Sequence, residues 1–326
     1  MHTLVTGAGG FLGRLLIETL LAQTEATVTA LDVVPMHFES ERVTAFAGDL
    51  SDGNWLAATL AQVAPIEQAY HLAAVVSGSA EADFDLGYRA NLEGTRTVLE
   101  ALRRQSGSGG PIARLVFTSS VAVFGGNLPE VVTDATVAAP QGSYGVQKLM
   151  SEYLIGDYTR KGFLDGRAVR LPTVSVRPGK PNAALSSFAS GIIREPLQGQ
   201  ISELPVPRDT AVWLFSPSAA VAALRHTLTI EHERFHGGVY GPGLNLPGLC
   251  VRVSEMLESL LEVGGPEALA QVKDAPDPRV LKLVITWPTK FAPERALALG
   301  YCADQNFTEI VRAFARRLEP QNVPVR

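Results

Sequence analysis

The sequence predicts an α/β fold: a doubly wound parallel sheet followed by a smaller, partly discontinuous C-terminal region. Three observations predict it. Short β-branched runs alternate with helical stretches through the first half of the chain, four glycines gather around the junction of the first such run and the first helix, and the alternation stops beyond Pro172. Alternation of this kind sets parallel strands side by side with crossover helices on both faces. With 326 residues, 46% of them apolar and 19% charged, the chain can bury a substantial core.

Taken in order, "HTLVTG" opens a strand at His2, "FLGRLLIETLLAQ" reads as the first helix and "TVTALDV" as the second strand. "LAATLAQV" and "QAYHLAA" form the next helix and strand, followed by the helix "NLEGTRTVLEALRRQ" and the strand "RLVFTSS". "SGSGGP" between those two is a loop. The helix "SYGVQKLMSEYLIGDYTRK" and the strand run "GRAVRLPTVSVRP" complete the alternating part. Beyond it come the Pro- and Gly-rich pieces "RPGKPNAALSS" and "YGPGLNLPGLC", one clean helix at Ser218 to Thr227 and a closing helix at Phe307 to Leu318. The expected division gives the larger domain residues 1–172, 211–236 and 303–319, and the smaller region 173–210 and 237–302. No internal repeat interrupts this pattern.

A net charge of −5 with scattered Lys and Arg offers no basic field for a polyanion, which argues against nucleic acid and acidic membranes as partners and for a small-molecule ligand. The two cysteines, Cys250 and Cys302, stand in no metal or redox spacing and read as buried thiols of a reducing cytoplasm. His226 and His236 show no metal spacing either. No leader pattern or membrane-length apolar run is present, so a cytoplasmic protein is expected.

Gly7, Gly10 and Gly13 fall where the first strand gives way to the first helix, where a dinucleotide pyrophosphate can lie against backbone N–H groups. A tight turn with positive φ explains one such glycine, or two, but not three. Asp32 ends the second strand about 20 residues further on, where a carboxylate accepts from the adenine ribose hydroxyls and repels a 2′-phosphate, which favours NAD over NADP. A strand-end aspartate also serves as a turn cap.

The motifs "TGAGGFLG", "GDLSD", "HLAA", "NLEGT", "FTSSVAVFG" and "YGVQK" come in the order found in extended short-chain dehydrogenases/reductases, and the chain resembles the NAD-dependent epimerase/dehydratase branch of that family from residue 3 to about 175. The resemblance implies a Rossmann-type sheet and bound NAD. Two stretches, from "HLAAVVSG" to "NLEGT" and from "RLPTVSVRPG" to "REPLQG", resemble members that oxidise a four-carbon sugar acid.

Lys148 follows Tyr144 by one helical turn, so its ammonium lies on the same face as the phenol. A nearby positive charge lowers a phenol pKa, as does an oxidised nicotinamide, so a tyrosinate becomes accessible near neutral pH and Tyr144 is expected to serve as general base. The strand before it delivers Ser119 and Ser120 to the carboxyl edge of the sheet, where open α/β sheets bind ligands. By the resemblance Ser120 is the catalytic hydroxyl and Ser119 lies by the cofactor. Also by resemblance, Phe11 and Leu12 line the glycine turn, Asp49 and Leu50 reach the adenine, Leu72, Ala73 and Ala74 run along the ribose, and Pro172, Thr173 and Val174 approach the nicotinamide. Asn91 reads either as a site residue or as a helix N-cap.

For the substrate, Arg177 is the guanidinium best placed to hold a carboxylate, Ser77 a hydroxyl contact and Trp213 a wall of the pocket; each also has a plain structural alternative. Val121 and Ala122 stand where the dehydrating relatives carry an acid pair, which argues against water elimination. The expected reaction is NAD-dependent oxidation of the C2 hydroxyl of a short sugar acid. A nucleotide-sugar 4-epimerase that retains NAD, an L-threonine-type dehydrogenase and a dinucleotide-sensing regulator stay open as alternatives. The resemblance also implies a homodimer through the helices at Asn91 to Gln105 and Ser143 to Lys161, whose apolar positions Leu92, Val98, Leu99, Leu102, Leu149, Leu154 and Ile155 exceed what one sheet face needs.

Overall fold

The computed structural model describes residues 1–179, 184–238 and 241–318; parts of both Pro- and Gly-rich pieces lie outside the described residues. Seven strands make the main sheet: β1 (His2–Thr6), β2 (Thr27–Asp32), β3 (Val43–Ala47), β4 (Gln68–His71), β5 (Arg114–Ser120), β6 (Asp165–Leu171) and β7 (Gly243–Asn245). Their order in space is β7-β6-β5-β4-β1-β2-β3, and every neighbouring pair is parallel. The order reverses between β1 and β4, where Thr6 pairs with His71. Crossovers leave these two strands toward opposite sides, so a crevice opens at their carboxyl ends.

Each face of the sheet is closed by helices whose apolar residues recur at helical spacing. The first helix, Phe11–Gln23, turns Leu16, Ile17 and Leu20 inward and meets the helix Pro217–Thr229 in one core with Val5, Val28 and Val169. The second of these helices starts sharply because Ser216 Oγ accepts from Ala219 N at 3.0 Å and Pro217 occupies the first turn. On the other face, Val98, Leu99, Leu102 and Ile155 pack against Leu4, Leu115 and Phe117. Those four positions are therefore consumed inside the chain and supply no surplus apolar surface, contrary to the expectation above. Leu92, Leu149 and Leu154 are half-buried, whereas Met150 and Tyr153 on the same helix are exposed.

The second core forms around the helices Phe188–Arg194, Val253–Leu269 and Phe307–Leu318. It includes Val212 and Leu214 of the strand Ala211–Phe215, which runs parallel to Thr173–Val174 and antiparallel to Leu249–Arg252. Three pieces thus sit differently from the expected division of the chain. The strand 243–245 completes the main sheet, while 211–215 belongs to the small one and the closing helix packs on the second core through Phe307, Ile310, Val311 and Phe314. A three-residue strand carries too little periodicity to be assigned from sequence, and an amphipathic helix does not reveal which core it covers. Pro172 joins β6 directly to Thr173–Val174, so the two sheets meet beside the crevice.

Both cysteines are exposed, not buried. Cys250 lies on the outward side of the strand Leu249–Arg252, where alternation sends Val251 inward, and Cys302 follows the turn at Gly300. Among the described residues no helix is long and apolar enough to cross a membrane.

The first helix presses on the turn after β1 at Gly13, where a Cβ would stand 2.2 Å from the Gly7 carbonyl oxygen and 2.7 Å from Ala8 Cα. Gly13→Ala is expected to destabilise the fold by about 1–3 kcal/mol, the usual cost of overpacking, read as a lowered midpoint in urea unfolding at unchanged slope.

Candidate active site

The crevice is a cavity of about 410 Å³. Its floor begins at the glycine turn. Gly7 alone of the three glycines has positive φ, +69°, and a Cβ there would strike Ala73 N at 2.7 Å. Gly13 is demanded by packing. At Gly10, by contrast, a Cβ would meet only the Gly7 carbonyl oxygen, at 3.2 Å, and the residue faces the cavity. The protein's own packing therefore leaves room at Gly10, and a side chain would fill a cradle at the start of the helix. Gly10 is the N-cap and no side chain caps the helix, so the first-turn N–H groups of Phe11, Leu12 and Gly13 lack intrahelical acceptors. This donor set suits a pyrophosphate.

Asp32 holds the turn from the next strand. One carboxylate oxygen accepts from Gly9 N at 2.9 Å and the other from Val34 N at 3.2 Å, which makes the residue a brace for the loop with lone pairs to spare. Leu72, Ala74, Pro172, Thr173 and Val174 line the cavity. Ala73, Asp49, Leu50 and Asn91 do not appear on its wall. Ala73 N donates to Thr6 Oγ1, Leu50 is buried in the core, and the Asp49 carboxylate is taken by the backbone and hydroxyl of Ser51 with Arg89 nearby.

Asn91 is not an N-cap. It is buried inside a π-helical turn, Tyr88–Glu93, that runs into the helix Gly94–Gly107. Its amide grips both backbone groups of Val75 and donates to Gln147 Oε1 at 2.7 Å. It ties the loop after β4 to the helix that carries Tyr144.

That helix, Ser143–Arg160, starts at Gly142 without a cap of its own; Glu81 Oε2 accepts from Ser143 N at 2.9 Å and supplies one from another element. Gly145 lets the helix press on the short turn after β5, since a Cβ there would come within 2.1 Å of the Ala122 carbonyl oxygen. Ser120, Tyr144 and Lys148 all line the cavity, with Ser120 Oγ accepting from Ala122 N at 3.1 Å.

Lys148 is almost fully buried. Its Nζ donates to the Thr118 carbonyl at 2.8 Å, lies 4.5 Å from the centre of the Phe117 ring and 5.6 Å from that of Tyr144. Burial lowers its pKa to about 7, and the charge of Glu152 opposes that shift. Glu152 has no exposed surface; it receives Arg170 through two hydrogen bonds of 2.9 and 2.7 Å and the Ser119 hydroxyl at 2.5 Å. Ser119 thus borders the cavity and spends its hydroxyl on Glu152.

Tyr144 in the chain by itself is not acidified by Lys148, which corrects that half of the expectation; the other half concerns the bound dinucleotide. Burial dominates and pushes it up to about 12, while the Arg177 charge and a hydrogen bond from Ser120 pull the other way. Lys148 is not among the groups that shift it: with its own pKa lowered to about 7, the amine is uncharged where the phenol titrates. Arg177 is no solvated loop arginine: it lines the cavity, burial and the charge of Arg194 lower its pKa, and no carboxylate pairs with it among the described residues. Ser77 borders the same space at the start of the helix Ser77–Ala82. Trp213 is both wall and core, stacked on Phe291 at 5.1 Å with Nε1 donating to the Leu246 carbonyl at 3.4 Å.

Sequence reasoning missed the buried groups behind this surface. Glu152 lies one further turn along the face that carries Tyr144 and Lys148, a repeat visible in the sequence; its partner Arg170 gives no such signal. His71, in the quoted "HLAA", is fully buried between Thr6 Oγ1 at 2.6 Å and Thr95 Oγ1 at 2.8 Å, and burial lowers it to about 3, so it is a neutral link between β1, β4 and a helix.

Residues 3–215 match the NAD dependent epimerase/dehydratase family. The chain is 48% identical to a D-erythronate dehydrogenase of Cupriavidus necator, over 96% of this chain and 98% of that protein. It is 41% identical to a D-erythronate dehydrogenase of Haemophilus influenzae, over the same shares of the two chains. Among solved structures, one described as a nucleoside-diphosphate-sugar epimerase from Agrobacterium tumefaciens superposes with a TM-score of 0.88 at 40% identity, covering 97% of this chain and 94% of that one.

Gly10→Ala separates the ligand's demand from the fold's. It is expected to leave the urea midpoint close to wild type while weakening NAD binding by at least about tenfold, or 1.4 kcal/mol, measured by calorimetric titration.

Proposed function

This chain belongs to the NAD dependent epimerase/dehydratase family and is an NAD-dependent oxidoreductase, and from that premise we propose that it oxidises the C2 hydroxyl of a short sugar acid such as D-erythronate to the 2-oxo acid. The observation that carries the substrate class is Arg177, a guanidinium in the cavity wall with no carboxylate partner among the described residues, close enough to Tyr144 to act on its phenol. A substrate carboxylate would complete it with a bidentate, charge-assisted pair.

NAD, when bound, supplies the hydride acceptor and, in its oxidised form, a positive ring charge. In this proposal Gly10 and the first-turn N–H groups hold its pyrophosphate, Asp32 accepts from the adenine ribose hydroxyls and Lys148 binds the nicotinamide ribose. Ser120 orients the substrate hydroxyl, Tyr144 takes its proton, and the C2 hydrogen leaves with its electron pair. Arg177 fixes the acid so that C2, not C3, lies under Tyr144. The enzyme is further read as a cytoplasmic homodimer, with exposed Met150 and Tyr153 in the surface that pairing covers.

The Agrobacterium structure's description favours a second reading, epimerisation of a nucleotide sugar with retained NAD. An absorbance screen for NADH across four- to six-carbon aldonates, L-threonine and nucleotide sugars tests both. Net NADH from D-erythronate supports the first; tightly retained NAD with no net reduction supports the second. Tyr144→Phe is expected to lose about a thousandfold or more in turnover, within the usual range for a removed acid–base group, while NAD binding persists. Arg177→Met is expected to raise KM for the acid by about tenfold or more, the value of one lost charged hydrogen-bonding partner. Near-normal kinetics in either variant refutes that residue's role.

A further inference from the structure

We propose that Asp165, His232 and His236 form a binding site for a zinc-like divalent cation, remote from the catalytic cavity. His232 and His236 stand one helical turn apart on the short helix His232–His236 and present their rings to the same side, 4.4 Å between centroids. Both aim a ring nitrogen at one oxygen of Asp165, the first residue of β6: His236 Nε2 lies 3.0 Å and His232 Nδ1 3.2 Å from Oδ1. All three donor atoms lie within 4.8 Å of one another. Tetrahedral zinc, with ligands at about 2.0–2.1 Å, sets its donors about 3.3 Å apart, so the two histidine–aspartate spacings need to open by only a few tenths of an ångström and the histidine pair, within 4.8 Å, adjusts by ring rotation. Two imidazoles and one carboxylate are the borderline-soft donor mixture that zinc takes in sites with an open position.

The carboxylate is also held from behind. Arg167, 1% exposed, donates Nη2 to Asp165 Oδ2 at 2.7 Å and Nε to Oδ1 at 3.1 Å, and anchors its remaining nitrogen on the Thr227 and Ile230 carbonyls. Such a partner orients a metal-binding carboxylate as outer-shell groups do, leaving the lone pairs on the histidine side for the ion. Its positive charge, with that of Arg295 also against the Phe235 ring, opposes the cation and sets the affinity below that of an all-anionic site. His232 is half exposed, which gives the ion a path from solvent and a place for a water ligand.

Asp165 opens β6 and Leu171 ends it at the cavity, so a seven-residue strand, roughly 20 Å at about 3.3 Å per residue, separates the two sites. The ion's role is therefore a staple. It fastens the helix that precedes the edge strand β7 to the neighbouring strand β6, and touches no reacting atom.

The test uses the full-length chain without a polyhistidine tag, stripped with EDTA and titrated with zinc chloride alone. Calorimetry is expected to show one ion per chain, thermal unfolding a rise in Tm that EDTA reverses, and cobalt in place of zinc the visible absorption of a tetrahedral site. His232→Ala and His236→Ala are each expected to weaken binding by at least about tenfold, the cost of losing even an outer-shell partner, with NADH formation unchanged. Absence of saturable binding, or binding that both variants leave intact, overturns the proposal. Because the readout is the ion and not turnover, its failure says nothing about the substrate reading.

Discussion

The structure depends most on how it holds one amine out of water. Lys148 sits beneath the reactive surface with a single carbonyl acceptor, an aromatic face and a carboxylate one turn away, and removal of any of these leaves a charge or dipole stranded in a poorly polarisable interior. Glu152 is the pivot. It faces Lys148 electrostatically, clamps Arg170 on β6 and binds Ser119 on β5, and Arg170 goes on to Asn245 on β7. One buried network thus registers the helix bearing Tyr144 against three strands. A buried ion pair of this kind adds little net stability relative to an apolar substitute, yet loss of one partner typically costs about 3–5 kcal/mol. Its value here is positional: it keeps β5, β6 and the helix in one register so that Ser120, Tyr144 and Lys148 share a wall.

The same burial that positions these groups opposes their ionisation. Lys148 is lowered to about 7, so the folded chain binds fewer protons there than the unfolded one, and stability is given up as pH falls from the ordinary 10.5 through 7. Tyr144 is raised to about 12; it stays protonated where an unfolded tyrosine would ionise, and that contribution is lost as pH climbs from 10 through 12. The free enzyme is therefore poised as a neutral phenol above a partly charged amine. Arg177 and Ser120 are the groups already turned toward the phenolate, and a substrate carboxylate on Arg177 would cancel much of that residue's pull. The remaining drive toward phenolate then has to come from the complex, which couples base formation to a filled site.

What could be read from the chain follows from which forces leave local traces. The glycine turn, Asp32 and the Tyr144–Lys148 turn are spaced by backbone geometry, so their arrangement survives in one dimension. Arg177 was identifiable as a candidate because it follows the last core strand. The Glu152–Arg170 pair joins two elements through space, and only its helix half has a periodic signature. Asn91 misled because an asparagine before a helix usually caps it, whereas a π-turn here carries it into the interior. The shift of Tyr144 was misjudged for a related reason: spacing puts the amine on the right face, but desolvation depends on everything packed around the ring. Cys250 was misplaced because outward alternation on an edge strand cannot be read from one residue.

The most direct test of this account is the ionisation of Tyr144 itself, followed as the ultraviolet difference between wild-type and Tyr144→Phe chains across pH, without and with saturating NAD. The account predicts a step near 12 in the free enzyme and a clear downward displacement once the dinucleotide is bound. A phenolate already formed near neutral pH in the free enzyme, or a step that ignores NAD, would contradict it.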